Sequence, residues 1–219
     1  MKKILMAMGV STFLITGALQ AEDTLKVDGV YLGLGGGPSF NIAAVGKGNF
    51  TDDTTEYDSS HISDGDFGYI LYGGYQFNKI IAVEAAYTDY GSFSETVDRA
   101  NSTRSDKLTT NPSSFSVYAN AGYTFGNGLR PFGQLGLGYM NIDGSVLADS
   151  FDLDDGVSLR FGVGLEYAPA ALIGFGFRVA YIDELRMSTD YKSQDNGDLE
   201  TTTVMNANGM LYIGAQYKF

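Results

Sequence analysis

The chain ends on "LYIGAQYKF", residues 211–219. Taken at every second position, one set is Leu211, Ile213, Ala215, Tyr217 and Phe219, and the other is Tyr212, Gly214, Gln216 and Lys218. A β-strand puts two such sets on opposite faces, so the terminus is a strand with one apolar and one mixed face. The same period recurs upstream. Eight stretches alternate in this way, over about 29–40, 66–77, 80–93, 114–125, 131–142, 156–167, 172–182 and 204–219. Each reaches or exceeds the roughly 9 to 11 residues that a tilted strand needs to cross the hydrocarbon of a bilayer.

The connections between these stretches alternate in length. Short turns fall at Asn78-Lys79, at "GNGLR" (126–130) with its Asn127-Gly128 hairpin signal, and at "APAA" (168–171). Long polar connections fall near 42–65, 94–113, 143–155 and 183–203. Tight turns at one end and long loops at the other are the asymmetry of membrane barrels, and an even strand number puts both termini on the short-turn side.

Sorting the faces fixes the orientation of the wall. In the third stretch Ile81, Val83, Ala85 and Tyr87 alternate with Glu84; in the sixth Val157, Leu159, Phe161, Val163, Leu165 and Tyr167 alternate with Arg160 and Glu166; in the seventh Ile173, Phe175, Phe177, Val179 and Tyr181 face away from Gly174, Gly176 and Arg178. A soluble lipocalin-like barrel shows the same period with its apolar face inside. Here the other face carries glycines and every mid-strand charge, too little for a soluble core. A charge on the lipid side near mid-bilayer costs about 2 to 4 kcal/mol, so the charges belong inside and the apolar face outside. Aromatic residues gather at strand ends as interfacial girdles: Tyr75, Phe77, Tyr123, Phe125, Phe132, Tyr167, Tyr217 and Phe219 at the short-turn end, and Tyr87, Phe115, Tyr139 and Tyr181 opposite. Lipid offers no hydrogen-bond partner to an open edge, so the last strand must close on the first. The expectation is an all-β fold, an eight-stranded antiparallel up-and-down transmembrane β-barrel.

The N-terminus reads separately. Lys2 and Lys3 precede an uncharged stretch from Ile4 to Leu19 that ends among small residues at Ala18 and Ala21, the pattern of a secretory signal peptide. A membrane anchor is the alternative, but the run is short and broken by Gly9 and Gly17. The expected division is a signal peptide over 1–21, with Ala18 as the other cleavage position, and a barrel domain over 22–219. Cleavage leaves 12 basic residues against 26 acidic ones, which argues against a nucleic-acid partner. With no Cys, 29 Gly, 15 Tyr, 14 Phe and only 4 Pro, the composition suits closely packed strands and excludes a disulfide-stapled scaffold.

"GYQFNKIIAVEAAYTDYGSF" (74–93), "RPFGQLGLGY" (130–139), "GVGLEY" (162–167) and the ending "YKF" resemble the OmpA-like, or opacity-type, family of eight-stranded outer-membrane barrels, over essentially the whole mature chain. The resemblance implies residence in the outer membrane of a Gram-negative bacterium. It also implies that Leu211, Ile213, Tyr217 and Phe219 match the C-terminal signal read by the barrel assembly machinery.

Five charged side chains fall at inward positions: Glu84, Arg160, Glu166, Arg178 and Lys218. An eight-stranded barrel is just wide enough for side chains to fill, so they are expected to pair as a polar plug, the alternative being a gated path for small ions. His61 is the only histidine and lies in "DSSHISDGD" (58–66). A Ser/His/Asp hydrolase site is conceivable in chemistry, but a long polar loop lacks the supporting contacts that catalysis needs, so no catalytic residue is assigned. The acids of the long connections, among them Asp52, Asp53, Glu56, Asp58, Asp149, Asp152, Asp154, Asp195 and Asp198, read as solvated surface or as weak divalent-cation bridges to lipopolysaccharide phosphates. "DSFDLDD" (149–155) lacks the Gly and terminal Glu spacing of an EF-hand, and no metal or cofactor site is assigned. The glycines of "GLGGG" (33–37) and "GLG" (136–138) miss the GxGxxG spacing and read as inward positions where the wall packs tightly. The expected function is non-enzymatic: envelope integrity, with loop-mediated adhesion or contact with host or cell-surface ligands, and a narrow porin-like channel as the alternative. Expected partners are outer-membrane lipid, lipopolysaccharide and the assembly machinery.

Overall fold

A computed structural model describes residues 27–49, 52–98, 105–144, 155–193 and 199–219; the expected signal peptide lies outside them. The strands are β1 (Gly29–Asn49), β2 (Asp52–Gln76), β3 (Ile81–Asp89), β4 (Phe93–Asp98), β5 (Ser105–Gly122), β6 (Leu129–Gly144), β7 (Gly156–Tyr167), β8 (Phe175–Ser193) and β9 (Leu199–Lys218). All pairings are antiparallel between neighbours, and β1 pairs with both β2 and β9, the latter from Tyr31↔Lys218 to Asn49↔Glu200. The terminal strand is therefore the closing seam. β3 and β4 both lie along β5, so nine segments build eight walls.

The third wall is broken where a single stretch over 80–93 was expected. Gly91 takes φ +74°, a conformation that glycine adopts without steric cost, and the Ser39 hydroxyl of β1 donates to the backbone oxygens of Asp66 and Tyr90. β1 itself bulges between Pro38 and Phe40. A bulge bends the strand and increases its twist, and this one sits where the walls leave the apolar belt.

Three of the four long connections are much shorter than the sequence suggests. The β1–β2 ladder runs out to Asn49↔Asp52, β4–β5 to Asp98↔Ser105 and β8–β9 to Ser193↔Leu199. Stretches taken as loops are largely strand. His61, expected in a loop, has its backbone in β2 opposite Ala43. A strand past the hydrocarbon needs no apolar face, so the alternation that marks it in sequence fades while Thr, Tyr and Ile still favour extended backbone.

Within the belt the two faces separate as the charge argument demands. Leu32, Leu34, Leu135, Val163 and Ile213 are exposed on the outside, while Glu84, Arg160, Arg178 and Glu184 are buried within. A soluble barrel with an apolar interior is excluded. At the short-turn end Tyr75 with Phe77, Tyr123 with Phe125, and Phe175, Tyr217 and Phe219 in series make edge-on pairs with ring centroids 5.0–5.1 Å apart, the favoured aromatic geometry.

Phe132 corrects the girdle. It is 6% exposed and lies in the lumen with Arg130 and Gln134, because residues two apart share a face. Tyr167 and Tyr181 are half-buried, and Tyr181 stacks on Phe40 at 5.7 Å. The glycine run also divides. A Cβ on Gly33 would come within 2.3 Å of the Tyr72 ring, whereas Gly36 faces outward beneath Phe67. Gly136 lies against Tyr118, with a Cβ there 2.4 Å from the Tyr118 backbone. Small residues on one wall thus make room for tyrosines projecting from the next.

Candidate functional site

The lumen holds two ionic layers. In the lower one, toward the short turns, Arg178 of β8 reaches across the bore to Glu84 of β3 through two parallel hydrogen bonds of 2.9 Å, the bidentate fork that suits guanidinium to carboxylate. Arg178 also donates to Glu166, and Glu166 accepts from Arg130 at 3.3 Å. Glu84 accepts further bonds from the Tyr31 hydroxyl at 2.6 Å and from Asn120. The Arg178 guanidinium lies 4.1 Å from the Tyr72 ring centre and 5.0 Å from that of Phe132, cation–π contacts strengthened by desolvation.

In the upper layer Arg160 of β7 donates to Glu184 of β8 at 2.7 Å and to Thr88 at 3.2 Å. Ser114 and Ser158 complete the Glu184 carboxylate at 2.9 and 3.1 Å, and the Tyr118 ring covers Arg160 at 4.5 Å. Arg160, Arg178 and Glu184 are each 0% exposed. Above this layer the Asn41 amide donates to Asn206 and Asn208 at 3.0 and 2.7 Å, tying β1 to β9.

Of the five charges singled out in the sequence, Glu84, Glu166 and Arg178 are brought into direct contact. Arg160 belongs to the separate upper layer. Lys218 makes no ion pair among the described residues; its ammonium donates to Gln76 Oε1 at 2.6 Å and to the Val27 carbonyl at 2.9 Å. The sequence does not single out Arg130 and Glu184, the first because it ends the turn signal of 126–130 and the second because it lies in the long polar connection of 183–203. Parity would have found both, since Arg130 shares a face with Gln134 and Glu184 shares one with Arg178.

Each layer is electrically balanced, with Arg130 and Arg178 against Glu84 and Glu166 below and Arg160 against Glu184 above. Buried charges are tolerable only when so paired. The side chains of Tyr31, Tyr72, Tyr118, Arg160 and Arg178 are buried in the bore among these pairs.

The remaining expectations lie elsewhere. Asp149 to Asp154, Asp195 and Asp198 fall outside the described residues, whereas Asp155 accepts a hydrogen bond from the Ile142 amide at 3.0 Å. Leu211, Ile213, Tyr217 and Phe219 all point outward and are exposed.

Residues 9–219 match the family model described as outer membrane protein beta-barrel domain. Among solved structures the chain is similar to OprG of Pseudomonas aeruginosa at 15% identity, with TM-score 0.51, 87% of this chain and 97% of that one covered. Neisserial surface protein A aligns at 14% identity and TM-score 0.44, covering 87% and 97%. Ail of Yersinia pestis, solved with the heparin analogue sucrose octasulfate, aligns at 18% identity and TM-score 0.33, covering 82% and 98%. No curated protein sequence matches the chain. With a closed wall, an apolar exterior and a family model spanning nearly its whole length, the chain belongs to the outer membrane protein β-barrel family and is an integral protein of the bacterial outer membrane.

Proposed function

We propose that the chain is a sealed, non-enzymatic scaffold that strengthens the envelope and holds stiff extracellular hairpins for contact with surfaces outside the cell. The observation that carries this reading is the continuation of paired strands beyond the belt. Past the Pro38/Phe40 bulge β1 stays paired with β2 and β9 as far as Asn49, about ten further residues, or about 30 Å at ~3.3 Å per residue. A pore gains nothing from such arms. A binding surface does, because a pre-ordered hairpin loses less freedom on engaging its ligand.

The channel reading requires Arg178 to leave Glu84 and Glu166, which keeps only Arg130 against two carboxylates and strands one negative charge in a low-dielectric bore. The hydrolase reading is set aside because the backbone of His61 lies in the β1–β2 ladder opposite Ala43, beside the register shift at Ala44/Val45, and not in a pocket of the barrel. Lipopolysaccharide around the belt, and assembly machinery reading Leu211, Ile213, Tyr217 and Phe219, are the partners consistent with this architecture.

The test replaces residues 42–62 and 188–204 by Asn-Gly turns, keeping the barrel and removing both arms. Attachment of expressing cells to epithelial or matrix surfaces is expected to fall, with solute uptake into proteoliposomes unchanged. Retained attachment, or discrete openings of the wild-type protein in planar bilayers, would overturn the proposal in favour of transport. Altered lipid A on overexpression would overturn its non-enzymatic part.

A further inference from the structure

Beyond the belt the closed wall divides. β2 leaves β3 at Tyr69↔Asp89, β7 leaves β8 at Ser158↔Arg186, and β6 leaves β7 at Met140↔Gly156. Past these points, among the described residues, β2-β1-β9-β8 continues as one sheet and β4-β5-β6 as another. The first sheet therefore ends on two open edges, β2 from Asp52 to Asp64 and β8 from Met187 to Ser193, each with a described ladder on one side only. An open edge presents a row of backbone N–H and C=O groups at the spacing of another extended chain. The β2 edge is the longer of the two, about 40 Å at ~3.3 Å per residue.

Charge decides what can lie along that edge. Between positions 52 and 64 β2 carries Asp52, Asp53, Glu56, Asp58 and Asp64 with no Lys or Arg. Its ladder partner β1 supplies one cation, Lys47, opposite Glu56. β4, which lies near β2 without sharing a ladder, adds Glu95 and Asp98 and no basic residue. The β8 edge is balanced, with Asp190 against Lys192. Like charges set opposite one another destabilise a strand pair, so the β2 edge disfavours pairing with the same edge of a second copy and favours a cationic strand. We propose that β2 between Asp52 and Asp64 is a strand-addition site, where an extended segment of another protein, rich in Lys or Arg, becomes the next strand of the sheet. This rests on the reading of the arms as contact surfaces and names the class of ligand they take. Main-chain hydrogen bonds along a preformed edge give the affinity, and the acids select for positive charge.

The test uses the protein refolded into phosphatidylcholine nanodiscs, with a peptide of about 12 residues alternating Thr and Lys as the probe, the length that covers the edge. Amide exchange in β2 should slow at every second residue between 52 and 64, where the N–H points away from β1, and stay unchanged at 187–193. A peptide alternating Thr and Glu should give no change. The Thr-Lys peptide methylated at every backbone nitrogen keeps its charge but loses its donors, and should lose the effect. Asp53→Lys with Asp58→Lys should weaken binding about threefold to tenfold, the scale of two exposed ion pairs; gel mobility of the folded form checks that this variant is intact. No slowing in β2, slowing without the alternate pattern, an undiminished response to the methylated peptide, or equal affinity in the variant overturns the proposal. Slowing that appears without peptide as protein concentration rises assigns the edge to a second copy and also overturns it. These failures are distinct from failure of the contact role, which is read by cell attachment after removal of the arms.

Discussion

Replacing Arg178 by Met is the sharpest perturbation of the bore, since the side chain is fully buried and holds two carboxylates from opposite walls. Met has a similar reach and leaves the contacts with Tyr72 and Phe132 largely filled, so the loss is mainly electrostatic. Glu166 keeps Arg130, and Glu84 keeps the hydrogen bonds from Tyr31 and Asn120, but the lower layer then carries an uncompensated negative charge. Removing one partner of a buried pair typically costs about 3 to 5 kcal/mol. Glu84→Gln together with Arg178→Met restores neutrality, and the double variant should recover roughly 1 to 3 kcal/mol relative to the sum of the singles, the range of coupling between residues in one network. Urea unfolding in lipid vesicles, followed by the mobility difference between folded and unfolded forms, measures all four proteins. A single variant within about 0.5 kcal/mol of wild type, the usual range for featureless surface positions, would refute the claim that these charges form a buried, mutually dependent layer.

Three further outcomes follow from the same geometry. Val163→Arg, on the lipid face in mid-belt, should destabilise by about 2 to 4 kcal/mol, whereas Val30→Arg at the periplasmic edge should cost only ~0 to 1 kcal/mol; the same unfolding assay reads both, and equal costs would refute the assigned depths. Gly136→Ala should cost about 1 to 3 kcal/mol by overpacking, because its Cβ would lie 2.2 Å from the Val117 carbonyl oxygen, whereas the nearest atom to a Cβ on Gly133 is 3.8 Å away and that substitution should be silent. Asn208→Leu should loosen the seam above the upper layer, since Asn208 bonds both Asn41 and Asn206; faster amide exchange in β1 and β9 around residues 41 and 208, with the lower layer unaffected, is the expected pattern.

The parts of the fold legible in sequence are those where lipid imposes a rule. Val157 to Tyr167 alternate because one side meets hydrocarbon and the other a narrow bore, so the faces of β7 could be sorted residue by residue. Where the lipid ends, the rule ends. The β1–β2 and β8–β9 arms read as loops in the sequence because a strand wetted beyond the membrane has no apolar period to display. Phe132 reads as a girdle residue because it is aromatic and near a strand end, whereas its parity with Arg130 turns it into the bore. The candidate site was half legible: the sequence marks inward charges but not which partner lies across the bore. The Arg178–Glu84 contact joins β8 to β3, walls that are not neighbours, and depends on tilt and side-chain reach rather than on spacing along the chain.

The central claim is that the apolar stripe meets hydrocarbon while the ionised groups face a closed bore. The chain has no cysteine, so single nitroxide labels placed one at a time along residues 157–165 of β7 are unambiguous. In lipid vesicles, collision with dissolved oxygen should be high at positions 157, 159, 161, 163 and 165 and low at 158, 162 and 164, a period of two in phase with Val163 outward and Arg160 inward. Oxygen exposure with no such period, or high at the even positions, would contradict the account.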